Sequence, residues 1–115
     1  MNISPSEADI QRAIMAFLLA ERIPAIRFNS GALRDSTGRP LFFARWMDGK
    51  PVSGLSDIVM LVNGRAVFVE IKAAKKKQRP SQVEFELWAK SSGCAYLLAN
   101  SVDVVRDWLR ERRAL

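Results

Sequence analysis

Two apolar runs flank the dipeptide Asn63-Gly64, which is the strongest short-range signal for a β-hairpin with a two-residue turn. With these two residues in the loop, Val62 pairs with Arg65. Counting outwards brings Asp57 opposite Glu70 at a non-hydrogen-bonded pair, where the Cβ atoms would lie roughly 4.5–5.5 Å apart. The sequence therefore predicts two carboxylates face to face at the open end of the hairpin.

Like charges placed directly opposite each other destabilise a sheet, so this pair predicts something cationic between the two side chains. Lys72 follows Glu70 by two residues and shares its face of the strand. A magnesium ion would also fit, because Mg²⁺ takes oxygen ligands, commonly one or two carboxylates with waters and substrate phosphate. Asp57 and Glu70 suit such an ion, and the carbonyl of Ile71 could supply another oxygen.

The chain has no histidine and a single cysteine, Cys94, which narrows the chemistry open to it. Zinc sites built from His and Cys are excluded. Acid–base catalysis by histidine and Ser-His-Asp triads are excluded as well. Any catalysis must therefore rest on carboxylates, lysine, hydroxyls and a hard metal.

The chain is basic, with 18 Lys and Arg against 12 Asp and Glu, a formal net charge of +6. This excess favours an anionic partner, and nucleic acid is the first candidate. The densest basic cluster consists of Lys75, Lys76, Lys77 and Arg79, to which Arg34 could add. Such a run is usually a solvated loop, but in a nucleic-acid-binding protein it would contact phosphates and make binding depend on salt.

The segment Ser4-Pro5-Ser6-Glu7 predicts a helix start, with Ser4 as N-cap and Glu7 closing a capping box. The predicted helix continues to about Glu21. Its apolar face consists of Ile10, Ile14, Phe17 and Leu18. Glu7 lies on the same face, so two roles stay open for it: the helix cap, or an inward-facing carboxylate that reaches the sheet.

Short strands and turns are predicted between this helix and the hairpin. The sequence predicts a strand at residues 25–28 and a turn at residues 29–31. Residues 41–47 predict a further strand, which ends at an Asp48-Gly49 turn.

A second helix is predicted to begin at Pro80, with a capping box between Ser81 and Glu84. Gln82 falls in its first turn, where such a residue is more often structural than functional. Gly93 fits the C′ position after the helix. The apolar face is predicted to consist of Val83, Leu87 and Trp88.

Residues 94–99 predict a buried strand that could pair in parallel with residues 67–71 through a right-handed crossover. Ser101 is the predicted N-cap of a last helix, whose apolar positions are Val102, Val105, Trp108 and Leu109. We therefore expect an α/β fold in which helices flank a mixed central sheet, with residues 1–115 forming a single domain.

Three short motifs together resemble those of a known family: Gly54-Leu55-Ser56-Asp57, Glu70-Ile71-Lys72 and Ser81-Gln82. With the helix that carries Glu7, they resemble the PD-(D/E)XK nucleases and, within them, the VRR-NUC (virus-type replication-repair nuclease) domain. Residues 27–31 and 101–109 are similar to that family too, so the resemblance covers nearly the whole chain. It implies a restriction-endonuclease-like PD-(D/E)XK core.

The resemblance implies that Asp57 and Glu70 bind Mg²⁺ or Mn²⁺ and that Lys72 is the catalytic lysine. It places the Glu7 carboxylate either outside the direct ligands of the metal ion or at a second metal site. Gln82 could hold a water or the substrate phosphate. The implied reaction is in-line attack of water on a DNA phosphorus, leaving a 5′-phosphate, in DNA repair or recombination. Family members often carry a glycine between the E-x-K motif and the helix with the Gln, whereas residues 73–79 of this chain contain none.

The resemblance further implies an endonuclease selective for branched DNA such as four-way (Holliday) junctions. Because two equivalent strands need two cuts, we expect a two-fold homodimer. Two other functions stay open: a basic DNA-binding accessory protein without catalysis, and a nuclease acting on plain duplex or flap DNA.

The apolar run 14–20 is too short to span a bilayer, and no basic segment precedes it. We expect no membrane partner and a cytoplasmic location, in a bacterial or phage-infected cell.

Overall fold

The computed structural model describes residues 4–28, 35–39 and 44–115. In chain order, the elements of this part are α1 (Glu7–Ala20), β1 (Ala25–Arg27), β2 (Ile58–Val62), β3 (Arg65–Ile71), α2 (Pro80–Ser91), β4 (Ala95–Ala99) and α3 (Val102–Glu111). The predicted turn at 29–31, residues 41–43 and Arg34 lie outside the described residues. None of the described helices is long and apolar enough to cross a membrane.

The four described strands form one sheet in the order β1-β2-β3-β4. The first three are antiparallel neighbours, and β4 pairs in parallel with β3. In the hairpin, Val62 pairs with Arg65 and the ladder continues to Ile58 and Val69. Asn63 and Gly64 both have positive φ (52° and 77°), as a type I′ turn requires. The predicted mixed sheet and the hairpin register are confirmed.

One face of the sheet carries the main hydrophobic core. Strand alternation points Ile58, Met60 and Val62 to this face, and the pairing adds Val67 and Val69. Helices α1 and α3 cover them with Ile10, Ile14, Leu18, Val105 and Leu109, all nearly inaccessible to solvent. Burying each such side chain stabilises the fold by about 1.5–3 kcal/mol. The opposite face is left for α2, and Asp57 and Glu70 belong to it by the same alternation.

The predicted apolar face of α2 is wrong. The residues of α2 that are buried are Gln82, Phe85 and Ala89, whereas Val83, Leu87 and Trp88 are 42%, 64% and 41% exposed. The predicted capping box between Ser81 and Glu84 is wrong too. The helix begins at Pro80 as predicted, but its N-cap is Arg79, and the side chain of Gln82 accepts the Arg79 N–H at 2.8 Å. The face of α2 that packs on the sheet thus includes a polar residue, Gln82, beside the apolar Phe85 and Ala89.

The predicted cap of α1 is also wrong. Ser6, and not Ser4, is the N-cap, and its capping-box partner is Asp9 rather than Glu7. The helix therefore begins at Glu7. Because Asp9 satisfies the cap, the carboxylate of Glu7 is free to point towards the sheet.

The remaining elements follow the predictions with small shifts. Strand β1 ends one residue early, Gly93 (φ 85°) follows α2 as predicted, and Ser101 caps α3. Strand β4 is less buried than predicted, with Leu98 at 46% exposed. Of the predicted strand 41–47, the described part is an isolated bridge between Arg45 and Pro51 around the predicted turn.

Candidate active site

Asp57 lies just outside the hairpin ladder, one residue before Ile58. Its Oδ2 accepts a hydrogen bond from the backbone N–H of Ile71 at 2.8 Å. Its carbonyl oxygen accepts the N–H of Phe28, also at 2.8 Å. These two bonds tie Asp57 to the end of β3 on one side and to the end of β1 on the other.

Glu70 is a buried carboxylate, only 3% exposed. Its Oε1 accepts a hydrogen bond from Nε2 of Gln82 at 2.9 Å, whereas its Oε2 has no partner in the described part of the chain. Burial, followed by the charge of Asp57, raises the pKa of Glu70 from 4.5 to about 8; the charge of Lys72 opposes this shift. Buried polar atoms are nearly always satisfied, so the free Oε2 calls for an explanation.

The pairing of Glu70 with a second carboxylate, that of Asp57, explains why Oε2 has no partner. Oε2 of Glu70 can share a hydrogen with Asp57 only if one of the two acids is protonated, and otherwise a cation must lie between them. No group of three or more Asp, Glu or Cys side chains among the described residues could hold a metal ion by itself. A hard ion would thus take two carboxylates and complete its shell with other oxygens, the arrangement Mg²⁺ usually has in proteins. The donor set fits such an ion.

Gln82 has the structural role that its place in the first turn of α2 favours, and it also contacts a carboxylate of the site. Its Oε1 caps the start of α2 by accepting the Arg79 N–H, and its Nε2 donates to Glu70. The side chain is 3% exposed. It therefore orients the carboxylate of Glu70 and fixes where α2 begins on the sheet.

Glu7 reaches the site from α1. Its Oε1 accepts the backbone N–H of Ala73 at 3.4 Å and lies 3.7 Å from Nζ of Lys76. Its charge also contributes to raising the pKa of Glu70. The carboxylate thus anchors the segment that follows Lys72, and it belongs to the same electrostatic environment as the facing pair.

Lys72 is half-buried directly after β3, and its positive charge favours the ionised form of Glu70. The structure therefore brings together Asp57, Glu70, Lys72, Gln82 and Glu7, all of which the sequence predicted.

A search of protein-family models finds no match to this sequence, and neither does a search of curated proteins. Solved structures do match. One, described as "VRR_NUC domain", superposes with a TM-score of 0.61 at 20% identity, covering 91% of this chain and 94% of that chain. Another, "VRR_NUC domain protein", has a TM-score of 0.59 at 17% identity over 94% of this chain and 88% of that one. The chain has the VRR_NUC fold. The likeness confirms the expected fold over nearly the whole chain.

Within this VRR_NUC fold, Gly54 is a site residue to which the sequence analysis gave no role. Its φ is +74°, and a Cβ built on it would lie 2.0 Å from the carbonyl oxygen of Ser81 and 2.7 Å from the nitrogen of Gln82. Only glycine allows this contact. The chain that leads to Asp57 therefore passes directly against the first turn of α2. The motif Gly-x-Ser-Asp was the available signal.

Ser56 of the same motif is fully buried, and its Oγ donates to the carbonyl of Ile58 at 2.9 Å. This bond braces the backbone on both sides of Asp57. Ser56 thus positions the carboxylate without facing it.

The predicted basic cluster lies in the loop between β3 and α2, and Lys75, Lys76, Lys77 and Arg79 are all exposed. Gln78 ties the loop down, since its Nε2 donates to Oε1 of Glu86 at 3.1 Å and to the hydroxyl of Tyr96 at 3.2 Å. Lys75 has a φ of +69°, where an L-residue costs about 1–2 kcal/mol. A lysine thus occupies a left-handed position in this loop.

Proposed function

We propose that this chain is a Mg²⁺- or Mn²⁺-dependent endonuclease that hydrolyses phosphodiester bonds of DNA, with branched DNA such as four-way junctions as its preferred substrate. The observation that carries the proposal is the buried Oε2 of Glu70, which has no partner in the described chain and belongs to a carboxylate on which the charge of Asp57 acts. A site that leaves a buried carboxylate oxygen free is suited to a cation. The VRR_NUC fold and the lysine beside the pair support hydrolysis of a phosphodiester.

In this proposal, Asp57, Glu70 and the carbonyl of Ile71 would hold the metal ion. Such an ion would lower the pKa of a water and neutralise charge on the phosphate. Gln82 keeps Glu70 oriented through its 2.9 Å hydrogen bond, so the carboxylate does not rotate away. Lys72, in its charged form, stabilises the negative charge that develops on the phosphate. Glu7 holds the segment after Lys72 in place.

The basic loop supports DNA as the substrate. Its exposed lysines and Arg79 would contact backbone phosphates, and binding would weaken as salt rises. Branched DNA with two equivalent strands requires two cuts, so the proposal includes a two-fold homodimer. DNA of this kind would be met in the cytoplasm of a bacterial or phage-infected cell.

Cleavage of three labelled substrates tests the proposal: a four-way junction, a flap and a linear duplex, each with Mg²⁺, Mn²⁺ or EDTA. We expect metal-dependent cutting that is fastest on the junction and is lost in Asp57→Ala and Lys72→Ala. Matched controls are Asp107→Asn and Lys90→Ala, two exposed residues of α3 and α2 that should keep full activity. Binding without cutting under every divalent metal would favour the accessory function instead.

Equal rates on linear duplex and junction would contradict the selectivity for branched DNA while leaving the nuclease intact. Sedimentation of the protein with and without junction DNA tests the dimer. A monomer in both states would count against the junction assignment.

A further inference from the structure

A small cavity of about 270 Å³ lies beside the active site, where the parallel strands β3 and β4 end. In α/β sheets, ligands bind in crevices outside the carboxyl ends of parallel strands. Lys72 and Asn100 directly follow the two strands and line the cavity. Its other walls include Lys75, Lys76, Leu98 and Val104. Lys72 therefore belongs both to this cavity and to the facing carboxylate pair.

The charge of the cavity is carried mainly by Lys75. Lys76 is paired with Glu7 at 3.7 Å, and the charge of Lys72 acts on Glu70. All Asp and Glu side chains lie in the described ranges, and none of them forms an ion pair with Lys75. The amide of Asn100 adds hydrogen-bond donors, and the apolar walls weaken the screening of charge by water. The cavity thus suits a small anion.

The backbone of Lys75 is a second, independent observation. The N–H of Lys76 donates to the carbonyl of Ala73 at 3.2 Å, which closes a turn with Lys75 at its third position. A positive φ at that position is typical of a type II turn and favours Gly or Asn. Strained positions of this kind concentrate at functional sites. The lysine is unfavourable for the turn, so its charge is the better reason for its presence.

Two other cations in the described part of the chain have a positive φ, and their setting differs from that of Lys75. Arg22 (φ 59°) and Arg113 (φ 55°) each directly follow the C-cap of a helix, α1 and α3, where left-handed residues are common. Lys75 ends no helix.

We propose that this cavity binds a backbone phosphate of the DNA strand next to the phosphate that is cut, with Lys75 and Asn100 as its ligands. The inference rests on the proposed nuclease function, because Lys72 joins the cavity to the catalytic pair. A bound neighbouring phosphate would fix the position of the strand relative to Asp57 and Glu70.

Binding of labelled junction DNA in EDTA, measured over a series of salt concentrations, tests the site. Lys75→Asn removes the charge and keeps a residue that accepts positive φ. We expect several-fold weaker binding and a slope of log K against log salt reduced by about 0.7–0.9, as for one lost phosphate contact. Lys75→Arg should bind as the wild type does.

Arg22→Asn is the matched control, because it makes the same change of charge at the same kind of φ. It lies beyond the far end of α1, whose 14 residues span about 21 Å from Glu7. We expect no change in affinity or slope. Both Asn variants should keep at least the melting temperature of the wild type.

Replacing single phosphates by neutral methylphosphonates locates the contact. The linkage next to the cut should weaken binding of the wild type but not weaken Lys75→Asn further. An unchanged salt slope in Lys75→Asn, a lower melting temperature, or no wild-type binding at low salt would each overturn the proposal. If cleavage is normal and the slope is unchanged, the cavity assignment alone is wrong. If the slope changes but no metal supports cutting, the nuclease proposal alone is wrong.

Discussion

Nε2 of Gln82 donates a hydrogen bond to Oε1 of Glu70 at 2.9 Å, and both side chains are 3% exposed. The bond crosses from the first turn of α2 to the last part of β3. It satisfies one oxygen of the carboxylate and leaves the other without a partner in the described chain. The geometry of the facing pair therefore depends on where α2 begins.

Gln82→Ala should weaken both the fold and the site. The substitution removes the hydrogen-bond donor to Oε1 of Glu70 and the acceptor of the Arg79 N–H. The buried Oε1 of Glu70 is then left unsatisfied, at a cost of about 1–3 kcal/mol. We expect a lower urea midpoint and a reduced kcat on junction DNA. Val83→Ala, at the exposed neighbouring position, is the control and should change neither. Full activity in Gln82→Ala would show that Glu70 does not need orienting.

The stability of the metal-free protein should fall as pH rises. The pKa of Glu70 is raised by burial from 4.5 to about 8, so this group stabilises the fold fully below pH 4.5 and loses that contribution as pH rises through about 8. At about 1.4 kcal/mol per pKa unit, the change is on the order of a few kcal/mol. Thermal melts across this range in EDTA measure it, and Glu70→Gln should remove this part of the pH dependence.

Addition of Mg²⁺ or Mn²⁺ should reverse the loss at high pH. A metal ion binds the ionised carboxylates of Asp57 and Glu70 and stabilises only the folded chain. We expect a metal-dependent rise of the melting temperature above pH 8 that is absent in Asp57→Ala. Equal stabilisation of the variant by metal would place the ion elsewhere.

Gly54→Ala should be far more damaging than its conformation alone predicts. The new Cβ would lie 2.0 Å from the carbonyl oxygen of Ser81. Gly49→Ala is the matched control, since it has a similar positive φ (88°) and no atom within 4 Å of the built Cβ. We expect the control to lose about 1–2 kcal/mol. Gly54→Ala should lose a further 1–3 kcal/mol or so from the clash, together with cleavage. Equal losses in urea titrations would show that the contact can relax.

Glu7→Ala and Ser6→Ala should separate the site from the helix cap. Ser6 caps α1, so its loss should cost about 1 kcal/mol of stability with normal cleavage. Glu7 instead holds the N–H of Ala73 and Lys76, so its loss should lower the cleavage rate with a smaller effect on stability. Denaturation and single-turnover rates distinguish them. A large loss of stability with normal cleavage in Glu7→Ala would indicate that Glu7 acts as a helix cap instead.

Local signals predicted the hairpin well. The Asn63-Gly64 turn determines the register by itself, so the facing positions of Asp57 and Glu70 follow from the sequence. The Ser101 cap and the glycine after α2 are equally local.

Features that depend on distant contacts could not be predicted. The buried face of α2 includes Gln82 because Glu70 lies beneath it, and a pattern of apolar residues cannot reveal a buried polar partner. The contact of Gly54 with Ser81 joins segments that only tertiary structure brings together. For Glu7, the predicted cap was Ser4, whereas Ser6 caps the helix, and this difference decided whether the carboxylate of Glu7 reaches the sheet.

The tight passage of Gly54 against α2 also bears on how chains with this architecture can diverge. Substituting Gly54 would displace Gln82, and with it the carboxylate that Gln82 orients, so this position should tolerate no replacement. The exposed lysines of the neighbouring loop make no such contact with the pair. In the proposed nuclease, substitutions in this loop could therefore change the preference for one DNA shape over another while the carboxylate pair stays unchanged.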